Sequence, residues 1–176
     1  MTESLSDRIR NAIRTVPDFP KPGIQFRDIT TVLAEPELFR ESLEGLFAPF
    51  AGRTDLIVGI ESRGFILGSS IAVQHGLPFV PMRKPGKLPA AKYREEYVLE
   101  YGTDALEVHQ DAIPKGSRVL IIDDLLATGG TALASQLLVE KAGGELVGFG
   151  FLIELDGLGG RKRLGDSEIF SLLHYE

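Results

Sequence analysis

Strand-like and helix-like segments alternate along this 176-residue chain. That alternation predicts an α/β fold, a mostly parallel twisted sheet flanked by helices. Two further observations support it. The apolar, β-branched runs at 55–60 and 118–122 are too continuous for a half-exposed sheet and read as buried strands, and 145–155 is a further apolar strand whose glycines allow close packing on a neighbour. Two of them run straight into a polar turn that opens a helix. In such sheets ligands bind outside the carboxyl ends of the strands.

Taken in order, residues 4–15 form an amphipathic helix. Ser4 and Asp7 make a capping pair, and Leu5, Ile9, Ala12, Ile13 and Val16 share a face. Pro17, Pro20 and Pro22 stop it and give a stiff extended linker. Residues 24–30 alternate apolar and polar, as a short edge strand does. Residues 36–50 form a second helix with Pro36 near its start. Residues 55–60 are a buried strand that ends in Glu61-Ser62-Arg63 and leads into a helix reaching about Gln74. Arg63 is unusual at a helix start, where the dipole favours anions. Either an anion sits between it and the backbone, or it pairs with Glu61. Residues 77–82 are a third strand.

Residues 83–102 hold Arg83, Lys84, Lys87 and Lys92 among prolines and a glycine, with no period that could bury a face. They read as a loop, and 93–101 alternates enough to supply a hairpin arm. In an acidic protein, a basic cluster at a strand end points to an anionic ligand. Residues 102–111 lead into the strand 118–122. A helix follows from Ala132 to Ala142 and is ended by Gly143-Gly144. The strand 145–155, a turn-rich loop at 156–162 and a terminal strand 169–175 complete the chain, which is expected to be a single domain over 1–176.

Composition narrows the function. The chain is 43% apolar and 25% charged, ordinary for a globular protein, and its net charge of −6 argues against a nucleic-acid partner held by a broad basic surface. The lack of cysteine excludes disulfides and thiolate metal sites. No apolar run approaches the ~20 residues of a membrane-spanning helix. The start, Met1-Thr2-Glu3-Ser4, lacks a signal-peptide core. A cytoplasmic protein with no membrane partner is expected. No Walker-type G-x-x-x-x-G-K-[ST], G-x-G-x-x-G after a strand, H-E-x-x-H or G-x-S-x-G is present. His75, His109 and His174 are scattered and read as surface or structural.

The most informative stretch is Arg118 to Thr131. A buried strand ends in the paired carboxylates Asp123 and Asp124, followed by Ala127-Thr128-Gly129-Gly130-Thr131 and a helix. Glycines let the backbone approach a ligand, threonines add hydroxyl donors, and the helix start presents unpaired N–H groups with the positive end of its dipole. That is a phosphate cradle. The carboxylates suit a ribose diol or a magnesium–water cluster. Asp, Thr and Gly also cap ordinary strand–helix turns, but the apolar run and the paired Asp favour a ribose 5-phosphate site. The segment resembles the 5-phosphoribosyl-1-pyrophosphate (PRPP) motif of the type I phosphoribosyltransferases.

Further motifs sharpen the likeness. They are Phe19-Pro20-x-Pro22-Gly23-x-x-Phe26-Arg27-Asp28-Ile29, Glu61-Ser62-Arg63-Gly64-Phe65, Arg83-Lys84-x-Gly86-Lys87-Leu88-Pro89, Leu99-Glu100-Tyr101-Gly102, and Phe170-Ser171-Leu172-Leu173-x-Tyr175-Glu176. With them the chain resembles the adenine phosphoribosyltransferase family over essentially its whole length; the match is weakest at 157–163.

The resemblance implies the type I phosphoribosyltransferase fold with an N-terminal hood at 1–32 and a mobile catalytic loop at 83–102. It implies transfer of ribose 5-phosphate from PRPP to N9 of adenine, giving AMP and pyrophosphate, as in purine salvage. Ala127, Thr128, Gly129, Gly130 and Thr131 would hold the 5-phosphate, and Asp123 and Asp124 the ribose hydroxyls. Pyrophosphate would fall to Glu61, Ser62, Arg63, Arg83, Lys84 and Lys87; a non-proline cis peptide at Glu61-Ser62 is frequent in the family. Gln25, Phe26 and Arg27 would read adenine, with Leu155 as the opposite wall. The loop would bring in Tyr101 and Glu100, the latter handling the adenine proton or positioning the loop. The cofactor implied is Mg²⁺, held mainly through substrate and water near Asp123 and Asp124, and the assembly a homodimer. The competing readings are transfer to another base and a regulator that keeps the fold and uses ligand binding as a signal.

Overall fold

The computed structural model describes residues 3–98 and 102–176, which fall into two compact units, Met1–Gly45 and Leu46–Glu176. The Leu99-Glu100-Tyr101 stretch, with the expected roles of Glu100 and Tyr101, lies outside the described residues.

In the smaller unit, helix α1 spans Leu5–Ala12. Its cap is the one expected: the Asp7 N–H donates to the Ser4 hydroxyl at 3.2 Å, and that hydroxyl donates to the Asp7 carboxylate at 2.6 Å. The helix stops before the predicted end. Ile13 is already extended, because Arg14–Pro17 (β1) pairs antiparallel with Gln25–Asp28 (β2), Val16 facing Phe26 and Thr15 facing Arg27. Tertiary pairing overrides the helical period here. The proline-rich linker is therefore a tight connection within a two-stranded ribbon. It carries a cis Phe19–Pro20 bond and is closed by the Gly23 N–H on the Asp18 carboxylate at 2.7 Å. The expected edge strand thus has one partner. Helices α2 (Thr30–Leu33) and the first part of α3 (Pro36–Phe47) bury Val32, Leu38 and Leu43 with Ile9.

The larger unit holds a five-stranded, all-parallel sheet in the order β4-β3-β7-β8-β9, as the alternation predicted. Here β3 is Leu56–Ile60, β4 Phe79–Met82, β7 Arg118–Leu126, β8 Glu145–Leu155 and β9 Ile169–Tyr175. From β3 the chain passes through α4 (Arg63–His75) to an outer strand; from β7 it passes through α5 (Gly130–Ala142) in the other direction. Right-handed crossovers running opposite ways put the helices on opposite faces and leave a crevice beyond β3 and β7, where the order reverses. Alternation along the strands feeds two packing layers. Val58, Ile60, Val119, Ile121, Phe149 and Phe151 join one buried cluster with Leu138 and Val139 of α5. Ile57 is buried on the other face, where a Cβ on Gly68 of α4 would stand 3.4 Å from its Cγ2.

Two details differ from the sequence reading. Strand β7 continues through the carboxylates, with Asp123 opposite Phe151 and Leu125 opposite Ile153. The segment expected only to lead into β7 contains a buried strand, β6 (Thr103–His109), paired antiparallel with β5 (Lys92–Val98). Glu107 in its middle is buried and breaks the apolar signal.

Candidate active site

A cavity of about 330 Å³ opens at the carboxyl ends of β3 and β7. It is lined by Glu61, Ser62, Arg63, Lys84, Asp123, Asp124, residues 125–132 and Phe151. The switch point of the sheet, the paired carboxylates and the Gly/Thr loop therefore meet in one place. Of the predicted basic residues only Arg63 and Lys84 reach the lining.

The β3–α4 turn shapes one wall. The Glu61–Ser62 peptide is cis, and α4 begins at Arg63. Arg63 reaches across to β7, where its Nε donates to Asp124 Oδ2 at 2.5 Å. Gly64 lets this turn sit against β7, since a Cβ there would stand 2.7 Å from the Ile122 carbonyl oxygen and 2.9 Å from Asp123 Oδ1. The opposing wall is the Gly/Thr loop at 127–131 and the start of α5. Gly129 caps α5 at φ +77°, a conformation costly to any residue with a Cβ, and its carbonyl accepts the Leu133 N–H at 2.9 Å. Thr128 is exposed and Thr131 half-buried. The first-turn N–H groups of α5 have no partners within the helix and point a partial positive charge toward a bound anion.

Charge in the cavity is arranged in pairs. Glu61 is the hub of one group. It accepts the Lys84 backbone N–H at 2.8 Å and Arg83 at 3.3 Å, while the Arg83 guanidinium lies over Phe65, 5.7 Å from its centroid. Burial works to raise the Glu61 pKa, but these donors outweigh it and hold the carboxyl below its ordinary range. Lys84 Nζ donates to Asp104 and to Tyr97 Oη, the latter at 2.5 Å. Tyr97 and Asp104 face each other across the β5–β6 ladder. Burial disfavours the ammonium, yet these partners raise the Lys84 pKa overall. Asp123 is pushed the other way: desolvation, then the charge of Asp124, raise its carboxyl well above the usual range.

Asp123 and Asp124 offer hard carboxylate oxygens, the donor type Mg²⁺ prefers. One is bonded to Arg63 and the other resists ionisation, so most coordination positions would belong to water and substrate oxygens. A second group, Glu154, Asp156 and His174, brings its ligand atoms within 4.8 Å of one another. Glu154 there is already bonded by Arg161 and Ser171.

Other predicted residues fall elsewhere. Lys87 is exposed and outside the lining, Leu155 is half-buried at the end of β8, and Gln25, Phe26 and Arg27 lie on β2 of the smaller unit. Sequence reasoning missed Tyr97, Asp104 and Phe151. Tyr97 and Asp104 carried no signal of their own, since their register needs the β5–β6 pairing. Among the described residues no helix is long and apolar enough to cross a membrane.

The family described as phosphoribosyl transferase domain matches residues 30–173. The adenine phosphoribosyltransferase of Nostoc punctiforme is 58% identical, over 95% of this chain and 99% of that protein. The crystal structure of adenine phosphoribosyltransferase from Rhodothermus marinus superposes with a TM-score of 0.92 at 56% identity, covering 97% of this chain and 98% of that one. The Saccharomyces cerevisiae enzyme, complexed with adenine and an imino-altritol bisphosphate, gives a TM-score of 0.91 at 40% identity over 96% and 98%. By the match of family, sequence and fold, this chain belongs to the phosphoribosyltransferase family, among the adenine phosphoribosyltransferases.

Proposed function

We propose that this chain transfers ribose 5-phosphate from PRPP to N9 of adenine, releasing pyrophosphate and forming AMP. The observation that carries this is the convergence, around one cavity, of the paired carboxylates at the end of β7 and the Gly129-capped start of α5. Adenine as acceptor rests on the relatives, among them the yeast enzyme solved with adenine.

In this reading the backbone of 127–131 and the hydroxyls of Thr128 and Thr131 hold the 5-phosphate. Asp124 and Asp123 accept from the ribose hydroxyls. As N9 attacks C1, the bond from C1 to the pyrophosphate oxygen breaks; positive charge builds on the sugar and negative charge on the leaving group. Arg63 and Lys84, with Ser62, line the cavity to stabilise that leaving group, and Glu61 orients Arg83 and the Lys84 backbone; the pyrophosphate roles of Arg83 and Lys87 are carried over from the family likeness. Mg²⁺, when bound with the substrate, neutralises diphosphate charge and fixes its geometry. The 83–102 segment closes to exclude water, which would otherwise hydrolyse PRPP. Glu100 handles the N9 proton or positions the loop, a role carried over, like that of Tyr101, from the family likeness. Gln25, Phe26, Arg27 and Leu155 take adenine-reading roles carried over from the family likeness. The two units serve a single phosphoribosyltransferase domain, assembled as a homodimer in the cytoplasm.

The test is to incubate the protein with PRPP, adenine and Mg²⁺ and to follow both products. AMP and pyrophosphate should appear one to one, and a chelator should stop both. A protein that binds PRPP yet forms no AMP is the regulator instead.

A further inference from the structure

We infer that the short helix α6 (Gly160–Arg163) is a buttress for the phosphate loop, and that Gly160 and Arg161 are positioning residues for the sugar-phosphate substrate. The inference rests on the reading of 127–131 as the phosphate site.

Helix α6 touches that loop along its length. A Cβ on Gly160 would collide with the Ala127 carbonyl oxygen and stand 2.9 Å from Leu126 Cδ1. A Cβ on Gly129 would stand 2.8 Å from the Gly160 carbonyl oxygen, and one on Gly130 would stand 3.2 Å from Arg163 Nη1. Gly160 has no positive φ, unlike Gly159 at +72°, so close approach and not conformation is what demands glycine there. Residues 157–163 do not appear in the cavity lining. Helix α6 therefore supports the loop without facing the substrate.

A single turn of helix cannot hold itself in place. Arg161 fixes it to the sheet: Nε and Nη2 donate to the two oxygens of Glu154 at 2.9 and 2.6 Å, and Nη1 donates to the Ile169 carbonyl at 3.1 Å. Glu154 is 3% exposed on β8 and also accepts the Ser171 hydroxyl at 2.7 Å. Leu164, just past the helix, is buried in the core cluster. The chain of contact runs from buried Glu154 through Arg161 and Gly160 to Ala127 and Gly129. A loop that binds phosphate through backbone N–H groups needs its geometry held to about half an ångström.

The test compares Gly160→Ala, Arg161→Ala, Arg161→Lys, Lys162→Ala, Thr128→Ala and Thr131→Ala. The readouts are KM for PRPP, KM for adenine, the competitive inhibition constant of ribose 5-phosphate, and Tm. Gly160→Ala should raise KM for PRPP and the ribose 5-phosphate constant about 10-fold or more, leaving KM for adenine within about 2-fold. Arg161→Ala should act in the same direction and Arg161→Lys should recover part of the loss. Lys162→Ala, on the same turn, should change nothing. Should Gly160→Ala not fold, the Arg161 pair decides alone. If Arg161→Ala leaves both constants unchanged while Thr131→Ala raises them, the buttress is wrong and the phosphate loop right. If Thr128→Ala and Thr131→Ala also leave them unchanged, the phosphate reading itself falls and the inference with it.

Discussion

Arg63, the first residue of α4, and Asp124, near the end of β7, hold one another at 2.5 Å across the crevice where the sheet order reverses. The contact joins a cation assigned to the leaving group with a carboxylate assigned to the ribose. Asp124 is 5% exposed, so removing Arg63 would leave a buried charge without its partner. Arg63→Ala and Asp124→Asn should each lower kcat/KM for PRPP by about 10²–10³-fold. The double variant should lose clearly less than the product of the two, because each single change already breaks the shared contact. Steady-state kinetics of the three variants checks this.

Asp123 is a carboxylate that the fold disfavours in its charged form, since burial and the Asp124 charge raise its pKa well above 3.8. The sign follows. Below about pH 3.8 the group is protonated in both folded and unfolded chains and costs nothing; the cost grows as pH rises through the interval up to the folded pKa. Asp123→Asn should therefore raise Tm at neutral pH, by about 2–4 °C for each ~1 kcal/mol regained, while lowering turnover. Thermal unfolding of both proteins at pH 4 and pH 7.5 checks it: the gap should be wider at pH 7.5.

Gly64 is where the β3–α4 turn meets β7. Gly64→Ala would place a Cβ 2.7 Å from the Ile122 carbonyl oxygen and 2.9 Å from Asp123 Oδ1, both near atoms of the site. The expected cost is about 1–3 kcal/mol of stability. Activity should fall by more than the loss of folded protein explains, because the turn and Asp123 must part. Comparing the denaturation midpoint with kcat/KM per folded molecule separates the two effects.

Asp55 and Arg118 clamp the starts of β3 and β7, with Oδ1 accepting Arg118 Nη2 at 2.6 Å. Hydrogen bonds from the Arg118 side chain, then from its backbone N–H, lower the Asp55 pKa from 3.8 to about 2. A lowered carboxylate stabilises the fold above its unfolded pKa and loses that contribution as pH falls from about 4 through 2. Asp55→Asn should flatten the decline of Tm over that interval, and the two proteins should converge at its acid end.

The parallel sheet, and the placing of the paired carboxylates and the Gly/Thr loop at one cavity, were legible in the sequence. The runs 55–60 and 118–122 could only be buried strands, and Asp123, Thr128, Gly129 and Thr131 supply different chemistries in one turn. Other features depend on partners distant in the chain. Arg14–Pro17 became a strand only because Gln25–Asp28 pairs with it, and Thr103–His109 was hidden by a buried Glu107. The sequence left Arg63 to an anion or to Glu61, and gave no sign of its bond to Asp124 at the end of another strand. The contact of Gly160 with Ala127 had no local signature at all, since glycine in a turn-rich loop reads as a turn.

The decisive measurement is product formation from PRPP and Mg²⁺ with adenine, hypoxanthine, guanine, xanthine and orotate in parallel. Adenine should be converted to its nucleotide at least about 100-fold faster than any other base, as expected of a site that hydrogen-bonds one base edge, and that rate should collapse in Asp124→Ala. Equal or faster conversion of another base would contradict adenine as the acceptor, and full activity in Asp124→Ala would contradict the ribose site.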